Sequence, residues 1–359
     1  RLIMGRTLSL VLATLLWACD VAPPEGNRTS DHGTLPTTAN EADHGPQAIG
    51  ANVVFYNTEN LFDAEDDPHT NDNDFLPEGE LRWTGERYAH KLEQIAKAIG
   101  MNGPHAPCLI GLAEVENRRV LEDLSRTAGL AQGAYAIVHK DSDDPRGIDV
   151  ALLVSEHFGR VKAQEFLPVP LRSGVTRPIL HAVVETSGNQ RIHVFVNHWP
   201  SRRAGEGETR GKRMAAAQVL RSALDEVFDG GSEPYVIVMG DFNDGPSDAS
   251  ISRVLEGGGK SRDAGKDLVN LVALDQEDPL GSISHGGTWE YFDQIMVSRA
   301  LLAARGTGHV RAISAASVKD PRLIFDHPRY GAQPDRTFSG TRYHRDGYSD
   351  HLPVVLRME

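Results

Sequence analysis

The chain has 359 residues, 40% of them hydrophobic and 24% charged. That is ordinary globular composition and excludes a disordered or collagen-like chain over most of the length. Lys and Arg number 37 against 50 Asp and Glu, a formal net charge of −13. Proteins that hold nucleic acid by bulk electrostatics are usually basic, so a polyanion would have to be met by local cations or a bound metal. The two cysteines, Cys19 and Cys108, cannot build a disulfide framework or a Cys-rich zinc site.

At the N-terminus, Arg1 and Arg6 flank the start of the apolar stretch Leu8–Trp17. This is the layout of a secretory signal peptide over residues 1–19, too short for a membrane span. Leu16-Trp17-Ala18-Cys19 resembles a bacterial lipobox, with plain cleavage near Ala18 as the alternative. Residues 20–48 are rich in Pro, Gly, Thr, Asn, Asp and Glu without an apolar period, which predicts a flexible linker. No linker-like break divides residues 49–359, so one domain is expected there. The location implied is secreted or periplasmic, with a lipid anchor at Cys19 as the one membrane contact and no protein partner.

Within that domain, β-rich apolar runs predict strands at Asn52–Tyr56, Leu109–Ala113, Tyr135–His139, Ile148–Val154, Leu180–Glu185, Arg191–Asn197, Tyr235–Met239, Phe292–Val297 and Pro353–Arg357. Most are almost continuously apolar, as strands covered on both faces are. Thr186–Gln190 reads as a hairpin turn between two of them. One-faced apolar spacing predicts helices over Glu86–Ile99, Arg118–Ala128 and Thr209–Phe228, each stopped at or near glycine. Many strands with few helices predict an α+β layered domain.

Polar residues cluster at the ends of these strands. Asn57 and Glu59 close the first, Glu114 the second, Asn197 and His198 the strand of HVFVNHWP, and Asp241 and Asn243 that of VIVMGDFND. Asp149 opens RGIDVALLV, Asp293 opens YFDQIMV, and Asp350 and His351 precede the last strand in YSDHLPVV. Carboxylates and amides without thiols suit a hard cation such as Mg²⁺ or Mn²⁺. Histidines with separate carboxylates suit acid–base work, because the carboxylate fixes the tautomer and holds the imidazolium.

GDFN followed much later by SDHLPV, with Glu114 after an apolar strand, resembles the endonuclease/exonuclease/phosphatase superfamily over about residues 50–359. The resemblance implies a four-layered αββα sandwich with its site at one end of the two sheets. It implies Glu114 as the principal metal carboxylate, Asn57 beside the metal, Glu59 as a further metal candidate, and Asp350 as an acidic neighbour that contacts the metal. Asp241 and Asn243 would orient the attacking water and contact the phosphate. Two dyads are expected around that phosphate, Asp293–His351 and Asp149–His198, with Asn197 as an alternative polar contact. The implied activity is metal-dependent phosphoester hydrolysis by in-line attack of water. Nucleic acid is the leading substrate, and a lipid head group or a small phosphate the alternative. A non-catalytic surface module is the remote one.

Three further segments carry expectations. Arg202 and Arg203, in the Arg-rich stretch after His198, and Arg146 near Asp149 are candidate phosphate contacts. DAEDDPHTNDND, within a segment from Glu59 to Glu80 that has no Lys or Arg, is a candidate structural Ca²⁺ loop, or simply a solvated acidic loop. Residues 294–349 are longer than compact superfamily members need, which predicts an inserted loop shaping substrate choice, with Arg336, Arg342 and Tyr343 as candidates.

Overall fold

The apolar runs become strands covered on both faces, and alternation along them builds the layers. The computed structural model describes residues 52–230, 233–257, 267–275, 280–306 and 308–359; the signal-peptide, lipobox and linker expectations lie outside the described residues. In chain order the strands and α-helices are β1 (Asn52–Leu61), α1 (Gly85–Gly100), β2 (Leu109–Val115), α2 (Arg118–Ser125), β3 (Tyr135–His139), β4 (Asp149–Ser155), β5 (Gly159–Leu167), β6 (Ile179–Thr186), β7 (Arg191–His198), α3 (Glu206–Asp229) and β8 (Tyr235–Asp241). They continue with β9 (Leu268–Asn270), β10 (Ile283–His285), β11 (Thr288–Glu290), β12 (Asp293–Ser298), α4 (Arg299–Ala303), β13 (Ala312–Ser317), β14 (Ile324–His327), β15 (Gly331–Pro334), β16 (Phe338–Ser339), β17 (Arg342–Tyr343) and β18 (Val354–Met358).

Two six-stranded sheets result, ordered β13-β18-β1-β2-β4-β3 and β5-β6-β7-β8-β12-β9. In β1, Val53 and Phe55 enter the core between the sheets, which Val194, Val196, Ile237, Met239 and Ile295 complete from the second sheet. Val54 and Tyr56 turn the other way, under Leu92, Ile95 and Ile99 of α1 and Leu121 and Leu124 of α2. On the outer face of the second sheet, Phe195, Val236, Val238 and Met296 lie under Ala217, Leu220 and Leu224 of α3. Helix, sheet, sheet and helix make the αββα sandwich. Each fully buried aliphatic side chain in these layers contributes about 1.5–3 kcal/mol. A one-residue slip would send every one of them to the wrong face, so burial also fixes register.

The sheets approach closely at Gly111, where a Cβ would stand 2.8 Å from Met239 Sδ. Thr84 and Asn117 cap α1 and α2, their side chains accepting the Arg87 and Val120 N–H groups. The expected turn at Thr186–Gln190 joins antiparallel β6 and β7, with Asn189 at φ 60°. Among the described residues no helix is long and apolar enough to cross a membrane.

Candidate active site

Strand parity decides which polar residues meet. His198, Asp241 and Asp293 follow Val196 and Met239 and precede Ile295 by two, so they point between the sheets. They are register neighbours across β7, β8 and β12, His198 opposite Asp241 and Asp241 opposite Asp293. Asn57 takes the same step beyond Phe55 on β1, and its Nδ2 donates to Asp241 Oδ2 at 3.1 Å. Asn197 has the opposite parity. It accepts from Trp199 Nε1 and donates to the Met239 carbonyl, so His198 is the residue of that pair that faces the cleft.

Glu114 reaches the cleft through an irregularity. The β1–β2 register shifts between Asn57 and Leu61, and the β2–β4 register shifts between Ala113 and Val115; Glu114 itself sits at φ 61°. Such bulges re-aim a side chain. Glu114 Oε2 accepts the Asn60 N–H at 3.1 Å, leaving Oε1 at 3.7 Å from His198 Nε2. Glu59, Asn60 and Asn243 also have positive φ, at 52°, 59° and 50°. Left-handed non-glycine residues cost about 1–3 kcal/mol each and collect where geometry serves a site.

His351 completes the cluster. Its Nδ1 lies 2.7 Å from Asp293 Oδ2, and its Nε2 is 3.9 Å from Asp241 Oδ2. Its backbone N–H donates to Ser349 Oγ, whose hydroxyl donates to the Asn57 carbonyl. Burial acts to lower the His351 pKa, but the charge and hydrogen bond of Asp293, with Asp241 and Asp350, hold it well above the ordinary histidine range. Burial and the Asp293 charge push Asp241 up to about 7. His198 goes the other way, well below its usual value, through burial and the charges of Arg177, Arg146 and His351. The site therefore pairs a cationic His351 with a neutral His198.

Several expectations need correction. Asp149 is not the partner of His198. It alternates with Val150 and so turns away from the inter-sheet core. There Asp149 Oδ2 faces His139 Nε2 at 3.0 Å, and its Oδ1 accepts the Ser142 N–H at 2.9 Å. His198 Nδ1 is buried without a hydrogen-bond partner. Glu59 accepts from Arg336 Nε at 3.2 Å and from the Thr337 N–H at 2.7 Å, so both oxygens anchor the insertion instead of facing a metal. Asp350 gives Oδ2 to Arg336 at 2.9 Å and keeps Oδ1 at 3.9 Å from His351 Nε2.

Arg202 is turned inward. It donates to the Asn243 carbonyl, Asp244 and Asp248 and lies over the Phe292 ring at 4.6 Å. It braces the GDFND turn and is not free for a phosphate. Arg203 is exposed. Arg146 is held by Asp144 through Nε and Nη2, with 43% of its side chain exposed. In the acidic loop, Asp63, Asp67 and Asp72 accept the backbone N–H groups of Glu65, His69 and Asp67. The metal-type donor clusters among the described residues are His139–Asp141–Asp149 and Asp241–Asp293–His351, so the Ca²⁺ expectation finds no support in this loop. Tyr343 packs with Trp83 and Phe338, and Arg342 is exposed.

Two contributors were missed. Arg177 is buried and ties Asp144 to the His198 and Trp199 carbonyls; one Arg before a proline gives no sequence signal. Lys91 is fully buried in α1 and donates to Thr337 Oγ1 and the Tyr348 carbonyl. Burial lowers its pKa to about 8 against the pull of Glu59, Asp350 and Glu114. A lysine on the apolar face beside Leu92 was the available signal.

The donor set fits a divalent cation. Asp293 Oδ1 is buried without a partner, and Asp241 and Asp293 share one buried cluster with His351, with Glu114 at 3.7 Å from His198 Nε2 beside it. Buried carboxylates in that state call for a cation or a proton. The fold and site thus define a phosphoester hydrolase of the four-layered sandwich type. Residues 52–359 match the sequence profile of the Endonuclease/Exonuclease/phosphatase family, and the chain belongs to that family, whose members are divalent-metal dependent. Comparison with curated proteins gave no match. Similar solved structures include D. rerio TDP2 humanized by 14 mutations, at 15% identity and TM-score 0.54 over 86% of this chain and 99% of that one. D. rerio TDP2 complexed with single strand DNA product is similar at 15% identity and TM-score 0.52, over 87% and 99%. A mannosyl-6-phosphatase of Bacteroides thetaiotaomicron is similar at 15% identity and TM-score 0.52, over 86% and 99%. Identities this low bear on the fold alone.

Proposed function

We propose that this protein is an extracytoplasmic, metal-dependent phosphodiesterase that hydrolyses nucleic acid by in-line attack of water. The observation that carries the reading is the convergence of Glu114, half-buried, with buried Asp241, Asp293 and His351, from separate strands and the loop before β18, onto one rim. Glu114 and Asn57 would hold Mg²⁺ or Mn²⁺; when bound, the cation offsets phosphate charge and orients the ester. Asp293 keeps His351 protonated, so its Nε2–H can neutralise charge gathering on a phosphate oxygen. Asp241, 3.6 Å from His198 Nε2 and 3.9 Å from His351 Nε2, has a carboxyl matched to neutral pH and takes the proton of the attacking water. Neutral His198 donates a hydrogen bond without adding a charge that would compete with the cation. Asn243, whose N–H donates to Asp241 Oδ1 at 2.9 Å, fixes the aim of that carboxylate. The signal-like residues 1–19 support the extracytoplasmic location.

A phosphomonoesterase or lipid head-group phosphodiesterase is the second reading, because a sugar phosphatase shares the fold at similar TM-score. The test profiles the purified protein on single-stranded and plasmid DNA, bis(p-nitrophenyl) phosphate, sugar phosphates and sphingomyelin, with Mg²⁺, Mn²⁺ or Ca²⁺ and with EDTA. DNA cleavage that stops with EDTA supports the proposal. Turnover of sugar phosphate or release of phosphocholine, with DNA left intact, overturns it.

A further inference from the structure

The insertion ahead of His351 contributes two small hairpins of opposite character. In the second, β16–β17, Phe338 is buried against Trp83 and Tyr343. The first, β14–β15, leaves Phe325 41% and Tyr330 37% exposed, two of the four large hydrophobic side chains so exposed among the described residues. Alternation puts Phe325 and His327 on one face of β14, opposite Gln333 and Gly331. Phe325 meets the His327 ring edge-on at 6.2 Å, and His327 stacks on Tyr330 at 4.8 Å and 24°. The Arg329 guanidinium lies 5.2 Å over the Tyr330 ring. The result is an open row of flat rings with a cation at one end.

The hairpin is tied to the catalytic rim on two sides. Two residues beyond β15, Arg336 bridges Glu59 and Asp350. On the other side the hairpin abuts β10–β11, where a Cβ on Gly287, at φ 90°, would stand 2.7 Å from the Tyr330 carbonyl oxygen. β10 in turn is bridged to His351 through Ile283. In residues 321–348, Arg322 is paired with Asp320 and Arg336 with Glu59 and Asp350, while Arg329, Arg342 and Arg345 stand against Asp326, Asp335 and Asp346, in a chain of net charge −13.

We propose that the β14–β15 hairpin is a nucleobase-stacking platform that selects single-stranded nucleic acid for the adjacent site, a reading that rests on the nuclease assignment above. Flat rings beside a guanidinium suit unpaired bases and their phosphates, whatever the base. In a duplex those faces are hidden, and the chain's overall negative charge disfavours long double-stranded DNA. The row thus supplies by stacking the affinity that bulk electrostatics withholds.

The test is Phe325→Ala/Tyr330→Ala, two exposed positions whose loss leaves the core intact. On a short single-stranded oligonucleotide, KM rises about ten- to a hundredfold with kcat little changed, while turnover of bis(p-nitrophenyl) phosphate stays at the wild-type level. An unchanged KM for the oligonucleotide overturns the platform and leaves the nuclease reading standing. Should wild type cleave the small diester but no nucleic acid, the nuclease reading fails. Fluorescence anisotropy of a labelled oligonucleotide, in an Asp293→Asn background with and without the hairpin changes, then decides the platform separately. Tighter binding to the intact hairpin supports it, and equal or absent binding overturns it.

Discussion

Asp149→Asn separates the sequence expectation from the structure. The carboxylate accepts the Ser142 N–H at 2.9 Å and faces His139 Nε2 at 3.0 Å, on the far side of β4 from the cleft. An asparagine keeps an oxygen for Ser142 and loses the charged partner of His139. Losing one buried charge-assisted hydrogen bond costs about 1.5–3 kcal/mol, or roughly 2–5 °C in Tm for a domain of this size. Turnover changes by less than about threefold, because the Asp293–His351 pair is untouched. Were Asp149 the partner of His198, the same change would remove acid–base assistance worth about 10²–10⁴ in kcat. Steady-state hydrolysis of bis(p-nitrophenyl) phosphate with saturating Mn²⁺, run beside circular-dichroism melting, distinguishes the two. A hundredfold fall in kcat in a variant still folded at the assay temperature would refute the reasoning.

Asp293→Asn should lower kcat by about 10²–10⁴ at neutral pH. Asp293 holds the His351 pKa up against burial, so its loss moves the alkaline limb of the pH–kcat profile to lower pH; an unmoved limb would show that His351 is not the titrating acid. Arg213 is buried, 2.7 Å from Asp244 Oδ1, and also donates to Thr209 Oγ1 and the Glu206 carbonyl. Arg213→Met leaves Asp244 to Arg202 and Ser250 and should cost about 1.5–3 kcal/mol in denaturant unfolding for the buried charged hydrogen bond it removes, and a loss below about 1 kcal/mol would reject the pairing as structural. His193 is lowered to about 4 by burial and then by the His181 charge. The unfolded chain takes that proton first, near pH 6.5, so this contribution to stability is full above about pH 6.5 and fades as pH falls toward 4. His193→Gln should flatten the urea-midpoint difference between about pH 5 and about pH 7.5; an unchanged slope would count against a neutral, half-buried His193.

Much of the fold was legible because its strands are nearly continuous apolar runs, and each of the nine expected strands overlaps an observed one. β5 escaped because it is an edge strand whose stretch Arg160–Glu165 is mostly exposed, so it reads as a polar loop. β13 is a run of Ala and Ser without the bulk that marks a strand. The same double burial that reveals strands conceals which face is which. β4 is buried at every position, so its sequence shows that Asp149 opposes Val150 in orientation but not which of the two faces the cleft. Glu114 enters the cleft only through a register shift that no local pattern announces. Arg202 and Arg213 show the matching limit for cations, since proximity in sequence to His198 does not say whether a guanidinium turns outward to a ligand or inward to Asp244. Asp293 and His351 were readable because each lies where a strand begins or is about to begin, and the core fixes both positions.

The central claim is that these rim residues form one cation-loaded centre. A crystal of the described domain soaked in Mn²⁺, with anomalous scattering recorded near the manganese edge, tests it directly. The account predicts a peak ligated by Glu114 in the cleft that Asn57, Asp241 and His351 line. A peak confined to His139, Asp141 and Asp149, or no peak in crystals of a protein whose Mn²⁺-dependent activity has been demonstrated, would contradict it.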